Sequence, residues 1–202
     1  MVLACLCALL LGAPLLAADG NTLFATCAAC HGSRGEGKPA LDAPAIAGQE
    51  ATYLERQLRN FRSARRGTHP SDLPGAQMRA VAATLPDDAT VTRIASYISS
   101  LPRNLVAFPT SGELRNGNNL YQGKCAACHG TSAEGNSALK APRLAGLDGA
   151  YIKRQFARFR DGARGTDAQD LPGRQMAMMA RTVPVERDLD DIIAFIHQQG
   201  RK

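Results

Sequence analysis

Two short motifs of the same composition limit what this 202-residue chain can fold around. Each has the pattern Cys-x-x-Cys-His, first at residues 27–31 and again at residues 125–129. Two thiols one helical turn apart can both reach the vinyl groups on one edge of a porphyrin, and this is the attachment motif for c-type haem. The histidine that follows then points towards the iron as an axial ligand. The sequence therefore predicts two c-type haems. The predicted attachment and ligand residues are Cys27, Cys30 and His31 in the first motif, and Cys125, Cys128 and His129 in the second.

Other uses of paired cysteines explain fewer of these residues. A thioredoxin-like redox site needs one Cys-x-x-Cys motif beside a βαβ pattern, and no strand-rich region is evident here. A zinc site shared by both pairs would leave the two histidines without a role. In an exported protein, four cysteines usually form two disulfides, but this reading also leaves the histidines unexplained. Haem attachment uses all six residues.

The first 18 residues are uncharged and rich in Leu and Ala, and they end in two alanines before Asp19. This composition predicts a secretory signal peptide with cleavage near residue 18, which would remove Cys5 and Cys7. No basic residue precedes the apolar stretch, so an uncleaved membrane anchor is the alternative reading. A glycine and a proline near the end of the stretch favour cleavage. We therefore expect a periplasmic protein, with a membrane-anchored form if the segment is retained.

An internal repeat has the same spacing as the two motifs. Related residues recur 98 positions apart, from the cysteines to the last apolar helix. Such self-similarity indicates a duplicated structural unit. The register slips only before the cysteines, where Phe24 stands three residues before Cys27 but Tyr121 stands four before Cys125. The clearest repeat pairs are Pro44 and Pro142, Tyr53 and Tyr151, Gln57 and Gln155, Arg66 and Arg164, Asp72 and Asp170, and Met78 and Met176.

Apolar periodicity predicts helices in both halves. Val91, Ile94 and Ile98 recur at the spacing of one helix face, and their repeat partners do the same. The stretch from about Gln49 to Arg66 lacks Gly and Pro and is also predicted to be helical. We predict an all-α fold in which two porphyrins complete small cores that hold few aromatic residues. The predicted divisions are a signal peptide at 1–18, a first domain at 19–101, a linker at 102–111 and a second domain at 112–202.

The sixth ligand of each iron is predicted to be a methionine. Met78 lies 47 residues after His31, and Met176 lies 47 residues after His129. Both follow a Leu-Pro-Gly turn, on a segment that can fold over the far face of the ring. His/Met ligation is typical of electron-transfer haems and raises their potential.

Three other readings of the methionines and histidines remain open. Met78 and Met176 could be ordinary core residues. Met178 or Met179 could replace Met176 as the ligand. Histidine could supply the sixth position, but His69 and His197 have no histidine at their repeat positions, and we expect both on the surface.

Pro44 and Pro142 each lie 13 residues after a motif histidine. A haem-ligating histidine commonly donates its second ring nitrogen to a backbone carbonyl, which fixes the ring. The carbonyl of a proline can accept that bond. The other reading is that each proline only interrupts a loop. The spacing alone does not separate the two.

With these residues in place, the chain resembles the dihaem class I cytochromes c of the cytochrome c4 family, and each half is similar to a small cytochrome c553-like domain. The resemblance rests on the two Cys-Ala-Ala-Cys-His-Gly runs, the Pro-x-x-Ala-Gly segments, the Tyr/Gln helix and the methionines. It covers essentially the whole chain after residue 18. It implies that the haem edges approach each other near the domain interface. The axial pairs and supporting carbonyls that it implies are His31 with Met78 and Pro44, and His129 with Met176 and Pro142.

The net charge of +6 bears on partners. Basic side chains crowd the predicted helix and turn after each histidine loop, where they could steer an acidic redox protein. They could equally form a solvated face or contact haem propionates. Nucleic-acid binding fits poorly with an exported chain that has few aromatics. The basic residues are Arg56, Arg59, Arg62, Arg65 and Arg66 in the first half, and Lys153, Arg154, Arg158, Arg160 and Arg164 in the second.

The expected function is electron transfer without bond-making chemistry. The protein would shuttle electrons between redox proteins, for example towards a terminal oxidase, and would reach a membrane only through them. One alternative is a dedicated subunit of a periplasmic dehydrogenase, such as a flavocytochrome c sulfide dehydrogenase. A dihaem peroxidase is a weaker alternative, because it needs an open or displaceable sixth position on one iron.

Overall fold

The structure, a computed structural model, describes residues 19–103, 111–183 and 185–200. These residues form α-helices joined by loops, with one short 3₁₀ turn at Pro39–Leu41 and two isolated β-bridges in place of any strand. The all-α prediction is confirmed. The helices are Gly20–His31 (α1), Ala51–Arg62 (α2), Leu73–Ala83 (α3), Asp88–Ser100 (α4), Leu114–Lys124 (α5), Ala126–His129 (α6), Gly149–Arg160 (α7), Leu171–Ala180 (α8) and Glu186–Gln199 (α9).

Aspartates set the beginnings of the two helices that carry the candidate methionines. Asp72 accepts a hydrogen bond from the backbone N–H of Gly75 at 2.9 Å, and Asp170 accepts one from Gly173 at 3.2 Å. The proline that follows each leucine fits the first turn of a helix, where no backbone donor is needed. The Asp-Leu-Pro-Gly repeat therefore fixes where α3 and α8 begin.

The predicted helix from Gln49 to Arg66 is shorter in the structure. It begins at Ala51 and ends at Arg62. Ala64 then adopts a left-handed backbone with φ of 58°. The chain turns here because the backbone N–H groups of Arg65 and Arg66 return to the Asn60 carbonyl. A turn without Gly or Pro gave no sequence signal.

Each half has its own apolar core. In the first half α1, α2 and α4 meet around Phe24, Leu54 and Ile94. In the second half α5, α7 and α9 meet around Tyr121 and Phe156. The two cores repeat the same helix arrangement, which positions both motif histidines alike.

The described residues contain no helix that is both long and apolar enough to cross a membrane. The predicted signal peptide, with Cys5 and Cys7, lies outside them, as does most of the predicted linker. The domain divisions and the cleavage therefore stay predictions.

Candidate functional site

Both motif histidines are buried and held by the carbonyl of a proline. His31 Nδ1 lies 2.8 Å from the Pro44 oxygen, and His129 Nδ1 lies 2.9 Å from the Pro142 oxygen. A carbonyl only accepts, so Nδ1 donates and the lone pair of each imidazole is at Nε2. Burial lowers the pKa of both histidines, although the proline carbonyl opposes this shift. Each ring is therefore oriented, with Nε2 as the nitrogen that it can offer to a metal.

The four described cysteines are free thiols. In each motif the first cysteine is half-buried and the second is exposed. Burial raises the pKa of Cys125 to about 11 and raises that of Cys27. One inner and one outer thiol beside an oriented histidine fit two thioether bonds along one porphyrin edge.

A cavity in the second half brings the predicted site residues together. Cys125, Cys128 and His129 line it, and Met176 of α8 lines it as well. Leu144 and Phe156 belong to its apolar wall. Thiols, an imidazole nitrogen and a thioether sulfur around an apolar space match the groups that c-type haem uses. The donor set of the second half fits the implied cofactor.

The neighbouring methionines differ from Met176 in exposure. Met176 is half-buried and packs against the core. Met178 is 60% exposed and is not among the cavity residues, whereas Met179 is 39% exposed and lies on the cavity rim. In the first half, Met78 is half-buried on α3. Iron ligation by Met78 and Met176 stays a prediction.

His69 is exposed, as expected, but the expectation that His197 is a surface residue is wrong. His197 is 7% exposed, and its Nε2 lies 3.1 Å from the Leu147 carbonyl. The last turn of α9 packs closely on the start of α7, where Gly149 leaves room for the ring. The internal repeat does not predict this contact, because the first half has a serine at the repeat position.

Two buried arginines tie the halves together in a crossed arrangement. Arg66 donates to Gln57 of its own half at 2.7 Å and to Gln155 of the other half at 3.0 Å. Arg164 donates to Gln155 at 2.7 Å and to Gln57 at 2.9 Å, and it also lies 3.3 Å from the Tyr53 hydroxyl. Each guanidinium therefore binds the same pair of amide oxygens. The repeat identified these residues, but their role across the interface was missed.

The cavity of the second half extends to this interface. Tyr53 and Arg56 of the first half line it together with Arg164. Burial raises the pKa of Tyr53, but the charges of Arg164, Arg66 and Arg56 outweigh this and lower its pKa overall. The Nε atoms of Arg56 and Arg164 are buried without a hydrogen-bond partner. Buried guanidinium nitrogens without a partner beside the cavity suit the propionates of a haem.

Basic side chains on α2 and α7 mostly serve as internal and interdomain partners. Arg62 pairs with Asp88 and Lys153 pairs with Asp190 within their halves, while Arg158 contacts Asp72 across the interface at 3.1 Å. Steering of an acidic partner by these residues stays a prediction. The remaining contacts are Arg59 with Glu55, Arg65 with Asp167, Arg154 with Asp42, Arg160 with Asp161, and Arg56 with the Lys140 carbonyl.

The shared zinc site considered above has no geometric basis. Within residues 19–103, 111–183 and 185–200, no three His, Cys, Asp or Glu side chains come together to hold a metal ion.

Comparison with known proteins gives the same result for both halves. The family model described as Cytochrome c matches residues 17–102 and again residues 114–200. Cytochrome c4 of Azotobacter vinelandii is 31% identical over 174 residues, covering 80% of each chain. A protein of Stutzerimonas stutzeri (strain A1501) named thiosulfate dehydrogenase electron acceptor is 33% identical, covering 85% of this chain and 84% of its own. The crystal structure of reduced recombinant cytochrome c4 from Pseudomonas stutzeri aligns with a TM-score of 0.70 and 27% identity, over 88% of this chain and 95% of that one.

Proposed function

The chain belongs to the cytochrome c family as a dihaem, cytochrome c4-like electron carrier, and from this premise we propose that it shuttles electrons in the periplasm between redox proteins. We also propose that His31 with Met78 and His129 with Met176 are its axial pairs. The haem iron supplies the Fe(III)/Fe(II) couple when the group is bound.

The paired hydrogen bonds from the histidines to the proline carbonyls carry this proposal. Because Nδ1 is used by the carbonyl, Nε2 is the nitrogen that each ring offers to a metal. The apolar walls of the second cavity keep water from the ligand atoms, and Met176 lies on that cavity. Such rings need no movement when the charge of the metal changes, which suits fast electron transfer.

The ligand assignment is tested by replacing one methionine at a time with histidine. Met78→His is expected to lower the potential of the first haem, and Met176→His that of the second, each by roughly 0.2 V within the span of about 0.8 V that axial ligands control. Met178→His is the matched control and should leave both potentials in place, because Met178 is exposed. A haem whose potential does not fall does not have that methionine as its ligand.

The ferric absorption spectrum tests the enzymatic alternative. In the unmodified protein both ferric haems should be low-spin and show a Met–iron charge-transfer band. A high-spin ferric haem together with peroxide turnover would contradict a simple carrier.

We propose a sulfur-compound dehydrogenase as the electron donor, since the Stutzerimonas relative is named as an acceptor for thiosulfate dehydrogenase. Stopped-flow mixing of the oxidised dihaem protein with a thiosulfate dehydrogenase and thiosulfate should show rapid haem reduction.

Fractionation of the native host should place the protein in the periplasm with a mature N-terminus near residue 19. Stable copurification with a dehydrogenase would instead favour the dedicated-subunit role.

A further inference from the structure

The outer face of α8 carries side chains that neither the fold nor the cavity requires. Arg174, Met178 and Arg181 follow each other at i, i+4 and i+7, which places them on one side of the helix. Met178 is 60% exposed and Met179 beside it is 39% exposed. Exposed neighbouring methionines of this kind commonly mark an interaction surface.

Lys124, the last residue of α5, joins this face. Lys124 donates from Nζ to the Thr182 carbonyl at 3.2 Å, just beyond the end of α8. Arg174, Met178, Met179, Arg181 and Lys124 are together called the α8 patch. The three cations of the patch are exposed, and within the described part of the chain none of them pairs with a carboxylate.

The α8 patch adjoins the second haem cavity. Lys124 and Met179 are at once part of the patch and part of the cavity lining. Cys128, one of the two attachment thiols, is exposed and lines the same cavity. A redox protein seated on the patch would therefore lie close to the haem edge, and short distance is what electron transfer between proteins requires.

The described residues of the first half contain no equivalent of this patch. The repeat positions on α3 are Ala76, Ala80 and Val81, and the one charged residue of that helix is Arg79. Two exposed cations of the first half, Arg34 and Lys38, lie instead on the loop after its histidine. Of the two equivalent helices α3 and α8, α8 combines an exposed methionine pair with flanking arginines and α3 does not.

We propose that the α8 patch is a docking surface through which the second haem exchanges electrons with an acidic redox protein. The proposal rests on the electron-carrier function. The α8 patch has an apolar centre and a cationic rim. This matches a transient protein interface, in which Met and Arg are enriched at the contact and charge steers the encounter. Carboxylates around the partner's own redox centre supply the complement to three cations.

The test uses an electrode that imitates such a partner. The intact dihaem protein is adsorbed on gold covered with a mixed monolayer of carboxylate-terminated and methyl-terminated thiols, and the interfacial electron-transfer rate is measured by voltammetry. Arg174→Gln with Arg181→Gln should lower the rate roughly tenfold at low ionic strength. The loss should disappear near 1 M salt, where the Debye length is about 3 Å. Met178→Ser, which changes an exposed residue outside the cavity lining, should lower the rate at every salt concentration.

Arg34→Gln with Lys38→Gln is the matched control. It removes the same charge from the other half and should change the rate less than about twofold, since it leaves the patch intact. The proposal is overturned if the electron-transfer rate falls equally in both double variants or falls in neither. It is also overturned if the unmodified protein shows no electron transfer with the monolayer. A redox titration in solution should give unchanged potentials in all variants. A protein that titrates normally but ignores the monolayer refutes the α8 patch alone, whereas one without two reversible one-electron couples refutes the carrier function.

A membrane surface is the competing occupant. Sedimentation with vesicles of phosphatidylglycerol and phosphatidylcholine separates the two. Binding to these vesicles that is lost in the double arginine variant, combined with an unchanged electrode rate, would assign the α8 patch to lipid and contradict docking to a protein.

Discussion

The two halves place the same groups around a haem with different backbones. In the first half α1 runs unbroken through the motif, whereas in the second half α5 stops before the motif and α6 resumes inside it. Tyr121 stands one residue further from Cys125 than Phe24 does from Cys27. Both rings are buried, so the additional residue is absorbed at Cys125, where φ is −118° and ψ is −35°. The positions of the Tyr121 ring and the Cys125 thiol are kept, and the helix is interrupted between α5 and α6.

The aromatic pairs of the two cores show the same freedom. Phe24 packs on Tyr97 with ring centroids 5.5 Å apart, and Tyr121 packs on Phe195 at 4.9 Å. The tyrosine and phenylalanine have exchanged positions between the halves. Two rings are needed for volume at this place in the core, but the hydroxyl can be on either ring if it finds an acceptor.

A buried ion pair breaks the symmetry of the contact between the halves. Arg158 pairs with buried Asp72 of the other half, whereas the repeat partners of these two residues are Asn60 and Asp170. Asn60 Nδ2 is buried without a hydrogen-bond partner among the described residues. The crossed arginines are thus symmetric at the centre, and the ion pair beside them exists once.

The largest expected effect comes from removing one haem at a time. Cys27→Ser with Cys30→Ser, and Cys125→Ser with Cys128→Ser, should each reduce the haem content from two to one, because each half depends on its own attachment. Haem and protein assays, with circular dichroism for helix content, measure the outcome. If either variant loses both haems, the halves are not separate haem-binding units.

Breaking the buried ion pair between Arg158 and Asp72 should have the next largest effect. Arg158→Gln leaves Asp72 buried and unpaired, and we expect a loss of about 3 kcal/mol in the free energy of unfolding, since only 14% of the arginine side chain is exposed. Guanidinium unfolding followed by haem absorbance measures it. Asn60→Ala should cost less, and adding Asp72→Asn to Arg158→Gln should restore part of the loss. If Arg158→Gln and Asn60→Ala lower the free energy of unfolding equally, the asymmetry does not contribute to stability.

The crossed arginines offer a redox comparison. Arg164 lines the second cavity and a cation there favours the reduced haem, so Arg164→Gln should lower the potential of the second haem by about 60 mV, a tenfold change for one electron. Arg66→Gln should shift that potential less, because Arg66 is not among the cavity residues. Spectroelectrochemical titration of both variants measures the potential of the second haem. A larger shift with Arg66→Gln than with Arg164→Gln would contradict this prediction.

We expect the smallest effect from removing the hydroxyls of Tyr121 and Tyr97, measured as a change in the free energy of unfolding. The Tyr121 hydroxyl donates to the Gly130 carbonyl at 2.9 Å inside the second half, and Tyr121→Phe should cost about 1 kcal/mol. Tyr97 donates to Asn21 at the surface, so Tyr97→Phe should stay within about 0.5 kcal/mol of the unmodified protein. Chemical unfolding of both variants measures the difference. A costlier Tyr97→Phe would mean that the two hydroxyls are not distinguished by burial.

The sequence predicted the features that depend on local spacing. The motifs and the helices follow from residues close together in the chain. The spacing alone left the role of the prolines open, and only the family resemblance favoured the hydrogen bonds that His31 and His129 make to Pro44 and Pro142. The crossed contacts of Arg66 and Arg164 could not be predicted, because a repeat shows which residues are equivalent but not which half supplies the partner. The burial of His197 depends in the same way on a contact 50 residues distant.

The crossed contacts have a consequence for the origin of the chain. Because each arginine binds a glutamine from both halves, the contact is isologous, as in a homodimer with a two-fold axis. A single-haem ancestor with one arginine and one glutamine at these positions would already have been able to dimerise through them. Gene fusion would then have made a concentration-dependent complex permanent. After that step the two copies were free to diverge at their outer surfaces, while the centre stayed symmetric.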